Sequence, residues 1–168
     1  MRKALSGILL GILSLMFIVT TAGSSNAAIP NLRITEIGYN ARGADVEGNR
    51  NKEYVDIKNV ASTAVSIPVN GLKIQDQWAR KTTNNVKNCN TYMVNENLVL
   101  DQNETLRVYV GYGVPNFSGT THFRYMNSSQ DCGYNGHFIN NLGDTLWVTL
   151  GENVMAKSFN FENGYTVN

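Results

Sequence analysis

The sequence predicts one all-β domain, a sandwich or a barrel, and three observations carry that expectation. Apolar and polar residues alternate with period two in many short runs, the pattern of half-buried strands. Asn, Gly and Thr are abundant; the first two favour turns and the third favours strands. Beyond the first residues, no segment has the three-to-four spacing of an amphipathic helix. Short strands broken by frequent turns point to a sandwich or barrel.

The N-terminal residues stand apart. Arg2 and Lys3 precede an apolar run over residues 8–19, and residues 20–28 turn small and polar, with Ser25-Asn26-Ala27 as a small-x-small site. That is the layout of a secretory signal peptide over residues 1–27. A membrane-spanning helix would need about 20 apolar residues, more than this run supplies. Removing 27 of 168 residues leaves 141 for a single domain, residues 28–168. A chain of that size buries roughly two-thirds of its unfolded surface and needs no metal to hold a core. Without Arg2 and Lys3 it has 12 basic and 13 acidic side chains, a net charge of −1. That balance does not indicate capture of nucleic acid or of an anionic membrane.

Strands follow in order. Leu32 to Thr35 alternates, and residues 38–51 read as a long exposed loop rich in Gly, Asn and charge. Tyr54 to Lys58 alternates again, with Val55 and Ile57 inward and Asp56 and Lys58 outward. Residues 64–67 form a short strand stopped by Pro68, and Asn70-Gly71 marks a turn before Leu72 and Ile74. Residues 78–90 are basic, Asn-rich and read as loop. Residues 92–94 and 98–100 are short strands around Asn95-Glu96. Leu106, Val108 and Val110 face inward on the next strand, with Arg107 and Tyr109 on its other face. Residues 116–135 read mostly as loop, with a strand at residues 122–125. Leu146, Val148 and Leu150 alternate, residues 151–153 turn, and residues 154–159 return antiparallel. The count is about seven to nine strands.

The ordered set of these signals carries a resemblance. Ile-Thr-Glu-Ile at residues 34–37 precedes Glu-Tyr-Val-Asp-Ile-Lys-Asn at 53–59 and Asn-Gly-Leu-Lys-Ile-Gln-Asp at 70–76. Leu-Val-Leu-Asp-Gln-Asn-Glu-Thr-Leu-Arg-Val-Tyr-Val-Gly follows at 98–111, then Asn-Asn-Leu-Gly-Asp-Thr-Leu-Trp-Val-Thr-Leu at 140–150. From Leu32 to about Phe161 the chain resembles the lamin tail domain found in exported bacterial proteins. The resemblance implies an immunoglobulin-like antiparallel β-sandwich and a non-catalytic role in binding or scaffolding. Its motif positions here are Glu53, Asn59, Gly71, Gly143 and Asp144. Gly71-Leu72 stands where the family has Gly-Trp, and the stretches around the two cysteines lie outside the motif. Physical readings agree on structural roles: Asn59 for an Asx-type turn, Gly143 for a positive φ, Asp144 for backbone donors, Glu53 for a cation at the sheet edge.

Candidate chemistry is sparse. Cys89 and Cys132 are the only cysteines, and in an oxidising compartment a disulfide between them leads over free thiols and over a zinc site with His122 and His137. It would close about 44 residues, worth roughly 4 kcal/mol by chain entropy. His122 or His137 would have to serve any hydrolase, but no G-x-S-x-G is present. Glu36, Glu53, Asp56, Asp76 and Asp144 are scattered, a poor basis for a glycosidase pair. Residues 45–56 resemble a calcium loop only faintly, with Arg50 at the glycine place. No cofactor is expected.

Aromatics carry the binding expectation. Trp78, Tyr112, Phe117, Phe123, Tyr125, Tyr134 and Phe138 lie in or beside predicted loops among Asn and Gly. Such rings stack on sugars or pack on a protein, or else plug the ends of a sandwich. The binding candidates are Trp78, Arg80, Tyr112, Phe117, Tyr125 and Tyr134. The expected protein is a secreted, non-catalytic module that recognises a cell-surface polymer or a protein partner through its loops. The alternatives are an assembly module of the envelope or a small secreted hydrolase using His122 or His137.

Overall fold

A computed structural model describes residues 29–39, 53–81, 91–126, 138–139, 143–160 and 166–167. The predicted signal peptide, the calcium-like loop apart from its last residues, Cys89, Cys132, Tyr134 and His137 lie outside the described residues.

The fold is all-β with largely antiparallel sheets. Twelve strands are described: β1 (Leu32–Gly38), β2 (Tyr54–Asn59), β3 (Val65–Ile67), β4 (Leu72–Gln75), β5 (Thr91–Met93), β6 (Leu98–Leu100), β7 (Thr105–Tyr109), β8 (Asn116–Ser118), β9 (Thr121–Tyr125), β10 (Gly143–Leu150), β11 (Asn153–Asn160) and β12 (Thr166–Val167). They form a six-stranded sheet ordered β12-β1-β2-β7-β9-β8, a four-stranded sheet ordered β11-β10-β4-β5, and the small pair β3-β6. Ile37, Val55, Ile57, Leu106 and Val108 of the first sheet share one buried cluster with Leu72, Ile74, Leu146 and Val148 of the second. Ile67, Leu98 and Leu100 of the small pair join the same cluster. The inward residues read from the alternation of β2, β7 and β10 are therefore the core, except Leu150, which is partly buried against it.

Two expectations need correction. The antiparallel expectation fails at one joint, because β7 and β9 pair in parallel from Thr105↔Thr121 to Tyr109↔Tyr125. After β7 the chain passes over the end of β9, returns as edge strand β8, turns at Gly119, and threads back between them as β9. Residues 116–125, the described part of the stretch read mostly as loop, are thus a hairpin. Residues 78–90, also read as loop, begin in a helix, α1 (Gln77–Lys81). Asp76 caps it, its Oδ1 accepting the Ala79 N–H at 2.6 Å. Five residues are too few to display a helical period.

Asn59 is a knot at the end of β2. It is fully buried. Its Oδ1 accepts the Ala61 N–H at 2.9 Å, the expected Asx turn. Its Nδ2 donates to the carbonyls of Thr63 and Leu100 at 2.8 and 2.9 Å, and more distantly to that of Asp101 at 3.1 Å. One amide thereby ties β2, the turn before β3, and the end of β6. Asn59→Ala strands buried backbone groups and should lower unfolding free energy by about 3 kcal/mol in urea titration. Asn59→Asp keeps the acceptor but loses the donors, and should give no rescue.

Candidate functional site

The six-stranded sheet has one face on the core and one face outward, and the outward face is ordered in rows by strand register. One row runs Gly38, Tyr54, Tyr109, Tyr125 across β1, β2, β7 and β9. The next runs Glu36, Asp56, Arg107, Phe123, Asn116 and ends on β8. Directly opposed side chains of neighbouring strands are in contact range, so each row is a physical chain of neighbours.

Arg107 organises the centre. Its Nε and Nη2 donate to the two Asp56 carboxylate oxygens at 2.7 and 2.6 Å, the fork geometry peculiar to arginine. Glu36 lies 3.6 Å from the same guanidinium, which also stacks 3.8 Å from the Tyr54 ring centre. The Tyr54 hydroxyl donates to Glu36 at 2.5 Å. Burial, reinforced by that bond, pushes the Tyr54 phenol up to about 12. Asp56, expected to point outward into solvent, does face away from the core but is only 6% exposed. The Arg107 fork and the Tyr54 ring cover it. Burial raises its carboxyl while Arg107 opposes the shift; the hydrogen bond to Asp56 in turn raises Arg107, which stays charged.

Beyond Arg107 the face becomes aromatic. The Tyr54 ring meets Tyr109 edge-on at 5.7 Å. Tyr109 stacks on Tyr125 at 5.3 Å and 18°, and lies nearly parallel to Phe123 at 6.2 Å and 10°. Two glycines admit these rings: a Cβ on Gly38 would fall less than 3.0 Å from the Tyr54 ring, and one on Gly113 less than 3.0 Å from the Tyr125 ring, both too close for a side chain. The parallel joint matters here, because the crossing segment carries Tyr112 and Gly113 over the end of β9. The result is an open cleft of about 410 Å³ lined by Tyr109, Tyr112, Asn116, Ser118, Phe123 and Tyr125.

Of the predicted binding residues, Tyr112 and Tyr125 line this cleft. Phe117 does not; it is 53% exposed but lies on the opposite face of edge strand β8, against the His122 ring at 4.4 Å. Arg80 stands on α1 with its guanidinium 6.0 Å from the Trp147 ring centre, on the other sheet. The Trp78 backbone belongs to α1, while its side chain lies outside the described part. Phe138 is core, 2% exposed. Tyr109, Asn116 and Ser118 were not among the candidates, although the spacing Arg107-Tyr109 and Phe123-Tyr125 signals one aromatic face.

The motif residues hold the frame. Gly143 has φ 108°, and Asp144 Oδ1 accepts the N–H groups of Thr145 at 2.6 Å and Gln77 at 3.2 Å, joining β10 to the start of α1. The Gly71 N–H donates to the Pro68 carbonyl at 2.8 Å. Glu53 is buried, with its carbonyl accepting from Val110 N–H at 3.0 Å.

On the core face, β9 ends the apolar layer with His122 and Arg124. His122 Nε2 lies 2.9 Å from Glu104, and Arg124 pairs with Glu96. The residue opposite His122 on β8 is Phe117, not a hydroxyl. Glu36 and Asp56 share Arg107 rather than flanking a cleft. Among the described residues no group of three or more His, Cys, Asp or Glu side chains could hold a metal, and no helix is long and apolar enough to cross a membrane.

The chain matches no family model and no curated protein.

Two consequences can be measured. Arg107→Ala removes both the partner and much of the cover of Asp56, and should cost about 2–3 kcal/mol in denaturant, below the figure for a fully buried pair because water then reaches the carboxylate. His122, then the Asp101 N–H, hold the Glu104 carboxyl below its ordinary value. Its contribution to stability is therefore present above the unfolded carboxylate range, about pH 4.3, and is lost as pH falls through the lowered value. The melting temperature of Glu104→Gln should fall less steeply with acid below that range than that of the wild type.

Proposed function

We propose that this protein is an exported, non-catalytic binding module of the lamin-tail type, built as an immunoglobulin-like sandwich, that holds a cell-surface polymer or a protein partner. The observation that carries this reading is the outer face of the six-stranded sheet. Its rings are partly exposed yet fixed in place by Arg107, by one another and by two glycines. Rigid, half-exposed aromatics bind with little loss of side-chain freedom.

The ordered motif of residues 34–37, 53–59, 70–76, 98–111 and 140–150 supports the family assignment, as do the turn-locking roles of Asn59, Gly143 and Asp144. The N-terminal pattern of residues 1–27 supports export. The binding surface is the sheet face rather than the loops, because Tyr112 and Tyr125 meet Tyr109 and Phe123 there.

The test is co-sedimentation of the protein with intact cells and with cell-free envelope material. Wild type should sediment, and Tyr112→Ala should be largely released while keeping its melting temperature, since Tyr112 is 41% exposed. Equal retention of wild type and Tyr112→Ala would sink the reading. So would substrate turnover abolished by His122→Ala in a variant that stays folded.

A further inference from the structure

We infer that the cleft between β7, β8 and β9 is a subsite for an uncharged sugar ring of a glycan chain. This rests on the proposed binding function and narrows it to one ligand chemistry.

Four of the six side chains that line it are aromatic, and the others are an amide and a hydroxyl. No lining side chain is charged. The charged side chains of the same face, Arg107, Asp56 and Glu36, are engaged with one another. Arg124, which reaches the Asn116 and Phe123 carbonyls from the core side, is paired with Glu96. Among the described residues an ionic ligand would find no unspent counter-charge there.

The shape is equally selective. Tyr109, Phe123 and Tyr125 stand nearly parallel from adjacent strands, because side chains project about perpendicular to a sheet. They give a wall of ring surface and upright edges. Asn116 shares a register level with Phe123, and Ser118 lies one pleat below on the same face. A pyranose has this division: C–H groups on its faces and hydroxyls around its rim. Each hydroxyl both donates and accepts, and amide, serine and phenol groups match that duality. The prolines of a proline-rich peptide present carbonyl acceptors without N–H donors, and would leave the Asn116 oxygen unmatched where they face it.

The cleft also suits a polymer. β8 is the edge of the sheet, and Asn116, Phe117 and Ser118 are all exposed. A chain lying along the edge can place one ring against the aromatic wall and continue in both directions. Its volume, about 410 Å³, falls at the lower end of ligand pockets, roughly 300–1,000 Å³.

The experiment is affinity electrophoresis of the full chain through gels that contain a soluble β-glucan, a xylan, a galactomannan, or an anionic polysaccharide. Titration with a proline-rich peptide runs alongside. Retardation is expected with at least one neutral polysaccharide, and it should survive about 0.5 M salt because no charge is involved. Tyr112→Ala and Asn116→Ala should each weaken it about three- to tenfold, the effect of losing one stacking or hydrogen-bonding group. Both positions are exposed, so the variants should fold, and unchanged melting temperatures check this. Binding only to the anionic gel, salt-sensitive binding, retardation of both variants equal to that of the wild type, or peptide binding at the cleft would each overturn the inference. If wild type ignores every neutral polysaccharide but still sediments with cells through Tyr112, the sugar ligand is wrong and the binding module stands. If it does neither, both readings fail.

Discussion

The outer face of this protein depends on one guanidinium. Arg107 sits where three demands meet: the Asp56 carboxylate needs a partner because it is covered, Glu36 needs a counter-charge, and the Tyr54 ring needs something to lie against. A lysine could meet the charge demand but not the planar stacking or the double hydrogen bond. With Arg107 fixed, Tyr54 is fixed, and Tyr109 is held between Tyr54 and Tyr125. An ionic cluster on a sheet surface thereby sets the angle of rings two strands away. The arrangement explains how a solvent-facing surface can be stiff without belonging to the core.

Much of the architecture was legible because it is local. Val55 and Ile57, Leu106 and Val108, and Leu146 and Val148 declare their buried face by alternation alone, and all six are core. Asn59 and Gly143 were readable because Asx turns and positive φ values depend on a few adjacent residues. What escaped is non-local. The side of the sheet taken by Asp56 follows from period two, but its burial follows from Arg107, 51 residues away. The helix of residues 77–81 is held partly by Asp144, 67 residues distant from Gln77. The parallel joint of β7 and β9 follows from how the chain crosses itself, which no window of sequence displays.

The candidate site divides along the same line. Tyr112 and Tyr125 could be picked out as aromatics amid turn residues, but so could Phe117 and Phe138, and the four have different fates. Phe138 entered the core, while Phe117 landed on the opposite face of the edge strand because it is one residue off the phase of Asn116 and Ser118. Tyr109 reads in sequence as an ordinary strand residue. Composition can nominate aromatic residues; strand register decides which of them share a surface.

The two-residue strand β12 has a consequence for the edge of the large sheet. It pairs with β1 at Ile37 and Gly38 alone, so among the described residues the rest of this side of β1 is an open strand edge. An open edge is the kind of template on which chains aggregate. The molecule blunts that edge in two ways. β1 is bulged between Ile34 and Glu36, and Lys157 of β11 reaches the Thr35 carbonyl at 3.5 Å. A kink and a lysine are both known deterrents to edge-to-edge pairing. The irregularity at Thr35 thus leaves the uncovered stretch of β1 a poor template for another strand.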